Sequence, residues 1–127
     1  MKPRYTSATT LFVIVIFVTI ASIGAAAQSG GRLIVLRAPN FGWNLALNIQ
    51  MDGRTVANVV QGRRYDHFVP AGRHVLTVSA VPNYSAYQPT STVLNVRSGQ
   101  TYVFTAMWRD TDSVVLVPSA LPPGQPY

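Results

Sequence analysis

The amino-acid sequence predicts an all-β protein: one small antiparallel β-sandwich of about seven or eight strands, following an N-terminal signal helix. Three observations lead to this prediction. Apolar and polar residues alternate with a period of two in successive segments, whereas no helical period of useful length follows residue 28. Turn signals recur at spacings of roughly eight to twelve residues, which is typical of β-sandwiches. The chain contains no cysteine, so the core must form without disulfide bonds.

The clearest strand pattern lies in residues 44–51, where leucine and isoleucine alternate with polar or small residues. Asp52-Gly53 follows at once and predicts a two-residue hairpin, because both positions tolerate positive φ. The complete set of predicted strands is 32–38, 44–51, 54–60, 65–69, 74–80, 90–96, 101–108 and 113–117.

Proline, glycine and polar residues mark the connections between these strands. Pro70-Ala71-Gly72 predicts a turn, since proline fixes φ and glycine opens left-handed conformations. Residues 81–89 predict a polar loop bracketed by prolines, and residues 97–100 and 109–112 predict two further turns.

Residues 1–27 have the three parts of an export signal. A basic start at residues 1–4 precedes an apolar run at residues 11–23, and three alanines at residues 25–27 provide an A-x-A cleavage site. We therefore expect cleavage before Gln28 and a place in the periplasm or cell envelope. The alternative is an inner-membrane anchor through residues 6–27, because about twenty apolar residues can span a bilayer. Membrane contact is expected only in that case.

Residues 28–127 suffice for one small domain. We expect the sandwich to span residues 31–117 and the proline-rich residues 118–127 to form a disordered tail. The basic side chains of this region are eight arginines and two histidines, and its acidic side chains are four aspartates. A positive surface favours anionic neighbours such as acidic glycans. Since the arginines are scattered, improved solubility is the simpler interpretation. Export argues against a nucleic-acid partner.

Residues 31–108 carry a series of turn motifs that resembles a known family. The motifs are Asp52-Gly53-Arg54, Gly62-Arg63-Arg64-Tyr65, residues 70–78 and residues 98–103. Their order resembles the PEGA-like envelope domains and a related bacterial family of exported β-sandwich domains. Residues 31–37 are closer to the second family, and residues 69–72 (VPAG) replace the motif that names the first. The resemblance implies an immunoglobulin-like sandwich exported to the cell envelope, without catalytic machinery.

Loop aromatics and arginines predict a binding surface, because exposed aromatics stack on sugars or anchor proteins and guanidinium groups bind phosphate or carboxylate. The candidates are Phe41, Trp43, Arg63, Arg64, Tyr84 and Tyr87. The alternative is that Trp43 and Tyr87 fold back to cover the ends of the sandwich.

Catalysis and metal binding find less support in the sequence. The chain has four carboxylates and no G-x-S-x-G motif, so we predict neither an enzyme nor a cofactor. His67 and His74 are weak candidates for a zinc or copper site, if they oppose each other across a hairpin with Asp66 nearby. Alternatively, His74 lies at the core margin and bonds a backbone carbonyl.

The sequence therefore favours a non-catalytic, exported binding or structural module for an anionic glycan or an envelope protein. One alternative is a subunit joined to an envelope assembly by β-strand addition at an exposed sheet edge. A weaker alternative is a periplasmic metal-binding protein. The sequence carries no signal for a particular oligomeric state.

Overall fold

The computed structural model describes residues 29–121, and this part of the chain consists of strands and loops. Eight strands form: β1 (Gly30–Arg37), β2 (Ala46–Met51), β3 (Arg54–Val59), β4 (Tyr65–Pro70), β5 (Gly72–Val81), β6 (Thr90–Val96), β7 (Thr101–Trp108) and β8 (Val114–Pro118). Within residues 29–121, no helix is long and apolar enough to cross a membrane. The predicted export signal and most of the predicted tail lie outside the described residues.

The strands form two four-stranded sheets that pack into a sandwich, which confirms the predicted fold class. One sheet has the strand order β4-β1-β7-β8 and the other β3-β2-β5-β6. Neighbours pair antiparallel with one exception, the parallel pair β1 and β7, whose register runs from Arg32↔Thr101 to Arg37↔Ala106. The expectation of a purely antiparallel sandwich therefore needs this one correction.

The hairpin between β2 and β3 forms as predicted. Asp52 and Gly53 have φ values of 52° and 84°, so both central residues are left-handed, as a type I′ turn requires. β7 and β8 form a second hairpin across the segment between Trp108 and Val114. In both hairpins the chain returns within its own sheet.

Two other predicted turns carry the chain from one sheet to the other. β4 ends at Pro70 and β5 begins at Gly72, yet the two strands belong to different sheets. Ala71 alone separates them, and Gly72 supports the change of direction with a φ of 126°. Residues 97–100 connect β6 to β7 in the same way.

The core lies between the sheets and follows the alternation in the sequence. Leu33, Leu47, Ile49 and Leu76 each have 0% of their surface exposed. Such side chains supply most of the stability of a small sandwich, since each contributes about 1.5–3 kcal/mol on burial.

The order of the strands gives the sandwich two different ends. Four connections meet at one of them, which we call the loop end: residues 38–45, 60–64, 82–89 and 109–113. The opposite end holds the hairpin at residues 52–53 and the two crossovers, and both flanking segments of the chain, before Gly30 and after Pro118, also leave there.

Candidate functional site

All six residues predicted to form a binding surface lie at the loop end. Residues 38–45 carry Phe41 and Trp43, residues 60–64 carry both arginines, and residues 82–89 carry both tyrosines. The fold therefore brings three separate parts of the sequence to one end of the molecule, but it exposes their side chains to different extents.

Phe41 is not available at the surface, and the expectation that it forms part of an exposed binding surface is wrong. Its side chain is 1% exposed, and its ring stacks on Trp108 with 5.6 Å between centroids. The Trp108 Nε1–H also donates a 2.9 Å hydrogen bond to the Phe41 carbonyl oxygen. Phe41 is buried because its ring completes the core at the loop end.

Trp43 and Tyr84 remain exposed, at 80% and 65% of their surface. The alternative that Trp43 folds back over the sandwich is therefore wrong. For Tyr87 the same alternative agrees with the structure, since its half-buried ring packs on Trp108 at 5.3 Å between centroids. The Tyr87 amide N–H donates to Asn83 Oδ1 at 2.6 Å, which fixes this loop.

Arg37 organises the loop end, a role that was not predicted from the sequence. Its guanidinium donates to the carbonyl oxygens of Leu45 at 2.9 Å, Val59 at 2.8 Å and Gly42 at 2.6 Å. Its Cζ lies 4.6 Å from the centroid of the Phe41 ring. Burial lowers the pKa of Arg37. The sequence does contain a signal for this role. Leu33 and Val35 point into the core, and Arg37 occupies the next position of the same alternation, where an apolar residue is expected.

An open groove of about 950 Å³ lies between the end of β1 and residues 60–64. Its lining includes three arginines, Arg37, Arg63 and Arg64, and one carboxylate, Asp66. The Arg63 side chain is exposed and forms no hydrogen bond or ion pair with residues 29–121. The formal charge of the groove lining is therefore positive.

Asp66 is already engaged by an arginine outside the groove. Arg32 binds it with two hydrogen bonds of 2.7 Å, from Nε to Oδ1 and from Nη2 to Oδ2. These bonds are the main reason that the pKa of Asp66 lies below its usual range. Arg64 shares the same carboxylate through a longer 3.3 Å contact from Nη2. Its Nη1 is the one buried side-chain nitrogen or oxygen within residues 29–121 that has no hydrogen-bond partner.

A second, smaller concavity of about 390 Å³ adjoins the same loop. Trp43 forms one wall, and Val60, Val81 and Pro82 contribute apolar surface. Because Gly42 lines the groove and Trp43 lines this concavity, residues 38–45 separate a cationic surface from an aromatic one.

The two histidines do not form the arrangement considered for a metal site. His67 lies on β4 and His74 on β5, in different sheets, so the expectation that they oppose each other across a hairpin is wrong. His67 packs on Tyr65, with 4.7 Å between ring centroids. Within the described part of the chain, no group of three or more His, Asp, Glu or Cys side chains could hold a metal ion.

His74 instead bridges two acceptors beside the β2–β3 hairpin. Its Nδ1 lies 2.7 Å from Asp52 Oδ2, and its Nε2 lies 2.8 Å from the Pro70 carbonyl oxygen. The second contact agrees with the alternative that His74 bonds a backbone carbonyl. Only the protonated imidazole donates from both nitrogens, so the Asp52 contact, with the Pro70 contact, raises the pKa of His74. The pKa of Asp52 is lowered, chiefly by the hydrogen bond from the Val75 N–H and then by His74.

We expect the His74 pKa to exceed the ordinary value of about 6.5, and the Asp52→Asn variant to return it towards that value. Protonated His74 stabilises the folded protein fully below the unfolded pKa, and this contribution disappears as pH rises through the higher folded pKa. An NMR titration of the imidazole resonances in both proteins measures the shift. Equal His74 pKa values in the two proteins would contradict the assignment.

The fold and these contacts define a β-sandwich protein whose loop end carries a cationic groove beside an exposed tryptophan. Comparison with protein-family models found no match for the chain, and comparison with curated proteins found none either. The resemblance to PEGA-like envelope domains thus stays a prediction.

Proposed function

We propose that this protein is a non-catalytic binding module of the cell envelope that holds an anionic glycan at its loop end. The observation that supports this proposal is the charge of the groove. Three arginines line it with one carboxylate, and Arg32 already binds that carboxylate through both oxygens. An anion that enters the groove provides acceptors for the exposed Arg63 guanidinium and for Arg64, which both line it.

Trp43 favours an acidic sugar chain over a small inorganic anion. An exposed indole offers an apolar face on which a sugar ring can stack. Trp43 directly follows Gly42, one of the residues that line the groove. A chain of acidic sugars can place a carboxylate or phosphate in the groove while a neighbouring ring contacts Trp43.

The loop that carries Trp43 is held in place before any ligand binds. Arg37 fastens it through two carbonyl groups within the loop and one at the end of β3, and the buried Phe41 ring anchors its centre. A preorganised site loses less entropy on binding than a flexible one. Because the groove is open and the contacts are ionic, affinity is expected to fall as salt concentration rises.

Isothermal titration with an oligogalacturonate, which carries one carboxylate per sugar, tests this proposal. A neutral maltooligosaccharide of equal length serves as the ligand control. We expect the Arg64→Gln variant to bind the oligogalacturonate about tenfold more weakly, corresponding to about 1.4 kcal/mol. The Trp43→Ala substitution should weaken binding of the oligogalacturonate both in the wild-type protein and when combined with Arg64→Gln.

Arg54→Gln is the matched protein control, because it removes the same charge from an exposed arginine at the opposite end. This variant should bind within about twofold of the wild type, since a distant exposed charge is largely screened. Equal losses in Arg54→Gln and Arg64→Gln would contradict a site in the groove. Equal binding of the acidic and neutral sugars, or binding of neither, would contradict an anionic glycan as the ligand.

The envelope location in this proposal derives from residues 1–27. Osmotic-shock fractionation of the native host, followed by intact-mass measurement, tests it. A soluble species that begins at Gln28 would support a free periplasmic module, and a full-length species in the membrane fraction would support an anchored one. A full-length protein in the cytosol would contradict export.

A further inference from the structure

Strand β6 ends its sheet with an edge that has no partner strand within residues 29–121. The order β3-β2-β5-β6 places it outermost, and it pairs with β5 from Gly72↔Val96 to Val78↔Thr90. The Asp52 N–H donates to the Val75 carbonyl oxygen at 2.9 Å. The backbone N–H and C=O groups of odd-numbered β5 residues therefore point towards β2. Even-numbered residues of β5 and β6 therefore bond each other, because the sides alternate along a strand.

This alternation directs the backbone groups of Ser91, Val93 and Asn95 outwards. Each offers one N–H and one C=O in a regular row, and the side chains of all three are exposed on the outer face of the sheet. Such a row is the template to which another strand adds.

The other three sheet edges carry features that oppose strand addition. The pairing of β3 shifts register between Ile49 and Gln50 of β2. β4 contains Asp66 and ends in Pro70, while β8 has five residues and ends in Pro118. In contrast, β6 has seven residues, TSTVLNV, without a charge, a proline or a register shift.

The sequence of β6 is complementary to itself. An antiparallel pair centred on Val93 places Val93 against Val93 of a second copy, and Ser91 against that copy's Asn95. No charged side chain opposes another in this register. Arg73 is the register partner of Asn95 on β6. The two-fold axis therefore places the Arg73 side chains of the two copies at opposite ends of the interface, away from each other. A two-fold interface of this kind closes after two copies.

We propose that two copies of this protein associate through their β6 edges, so that their β3-β2-β5-β6 sheets join into one continuous sheet of eight strands. About six backbone hydrogen bonds form, two for each of the three facing pairs. The edge buries little apolar surface, so association is weak, with Kd in the range of about 10 µM to 1 mM. The two loop ends point in opposite directions, and the dimer presents two separate grooves.

Sedimentation equilibrium of the purified protein between about 5 and 500 µM tests the proposal, with association at the upper concentrations as the expected result. The Val93→Lys variant brings two ammonium groups together at the two-fold axis and should weaken association at least tenfold. Val56→Lys is the matched control, because Val56 is an exposed valine on β3, the opposite edge of the same sheet, and it should dimerise as the wild type does.

A cysteine variant adds an independent readout, since the protein has no cysteine of its own. Mild oxidation should convert Val93→Cys, but not Val56→Cys, into a disulfide-linked dimer. A wild-type protein that stays monomeric throughout, or equal behaviour of the two lysine variants, would overturn the proposal. Either outcome leaves the oligogalacturonate titration unaffected, because the groove and the β6 edge share no residue.

Discussion

Replacing Phe41 with alanine is expected to lower the free energy of unfolding by about 3–5 kcal/mol. The ring is fully enclosed, it stacks on Trp108, and the Arg37 guanidinium lies over it. Its removal leaves a cavity at the loop end and withdraws an aromatic and a cation–π contact at once. The loss is large for a small domain, whose total stability is typically about 5–15 kcal/mol.

Urea denaturation monitored by circular dichroism measures this difference, and Trp43→Ala provides the matched control. Trp43 lies two residues away in the same loop but is 80% exposed, so its replacement should change stability by no more than about 0.5 kcal/mol. If both variants lost the same stability, the assignment of Phe41 to the core and Trp43 to the surface would be wrong.

Replacing Arg37 with methionine is expected to cost about 3 kcal/mol of folding stability. Methionine preserves much of the side-chain volume but leaves the carbonyl groups of Gly42, Leu45 and Val59 without their donor. Each buried acceptor left without a partner costs about 1–3 kcal/mol, and water can recover part of this at the partly open groove. The stability of Arg37→Lys should fall between that of the wild type and that of Arg37→Met, since one ammonium group cannot reach all three carbonyls.

Thermal unfolding of these variants, beside Arg54→Met, separates the bonding role of Arg37 from the loss of a charge. Arg54 is exposed, so its change to methionine should alter stability by about 0.5 kcal/mol or less. Similar melting temperatures for Arg37→Met and Arg54→Met would show that the three hydrogen bonds contribute nothing to folding.

The strands were predictable because each is specified locally. Alternation marks which residues face the core, and Asp52-Gly53 fixes a hairpin through its own φ preferences. The assignment of strands to sheets was not predictable in this way. Pro70-Ala71-Gly72 predicts a change of direction, but whether the chain returns beside β4 or crosses to the other sheet depends on distant strands. The incorrect pairing of His67 with His74 follows from this ambiguity.

Residues of the candidate site could be predicted from the sequence where the residue type and its local setting are enough to decide exposure. Arg63, Trp43 and Tyr84 lie at the surface of turn-rich segments, as their setting predicts. Phe41 has a similar local sequence, but its burial depends on Trp108, 67 residues further along the chain. The role of Arg37 likewise depends on Val59, 22 residues away. Contacts of this length leave no trace in a local pattern.

Because the chain both enters and leaves the sandwich at the end opposite the loops, the domain behaves as a unit with a single attachment side. The strands have five to ten residues, which sets the loops roughly 20–25 Å from that side. A support, a reporter protein or a neighbouring domain joined next to Gly30 or Pro118 would therefore lie on the side opposite the loop end.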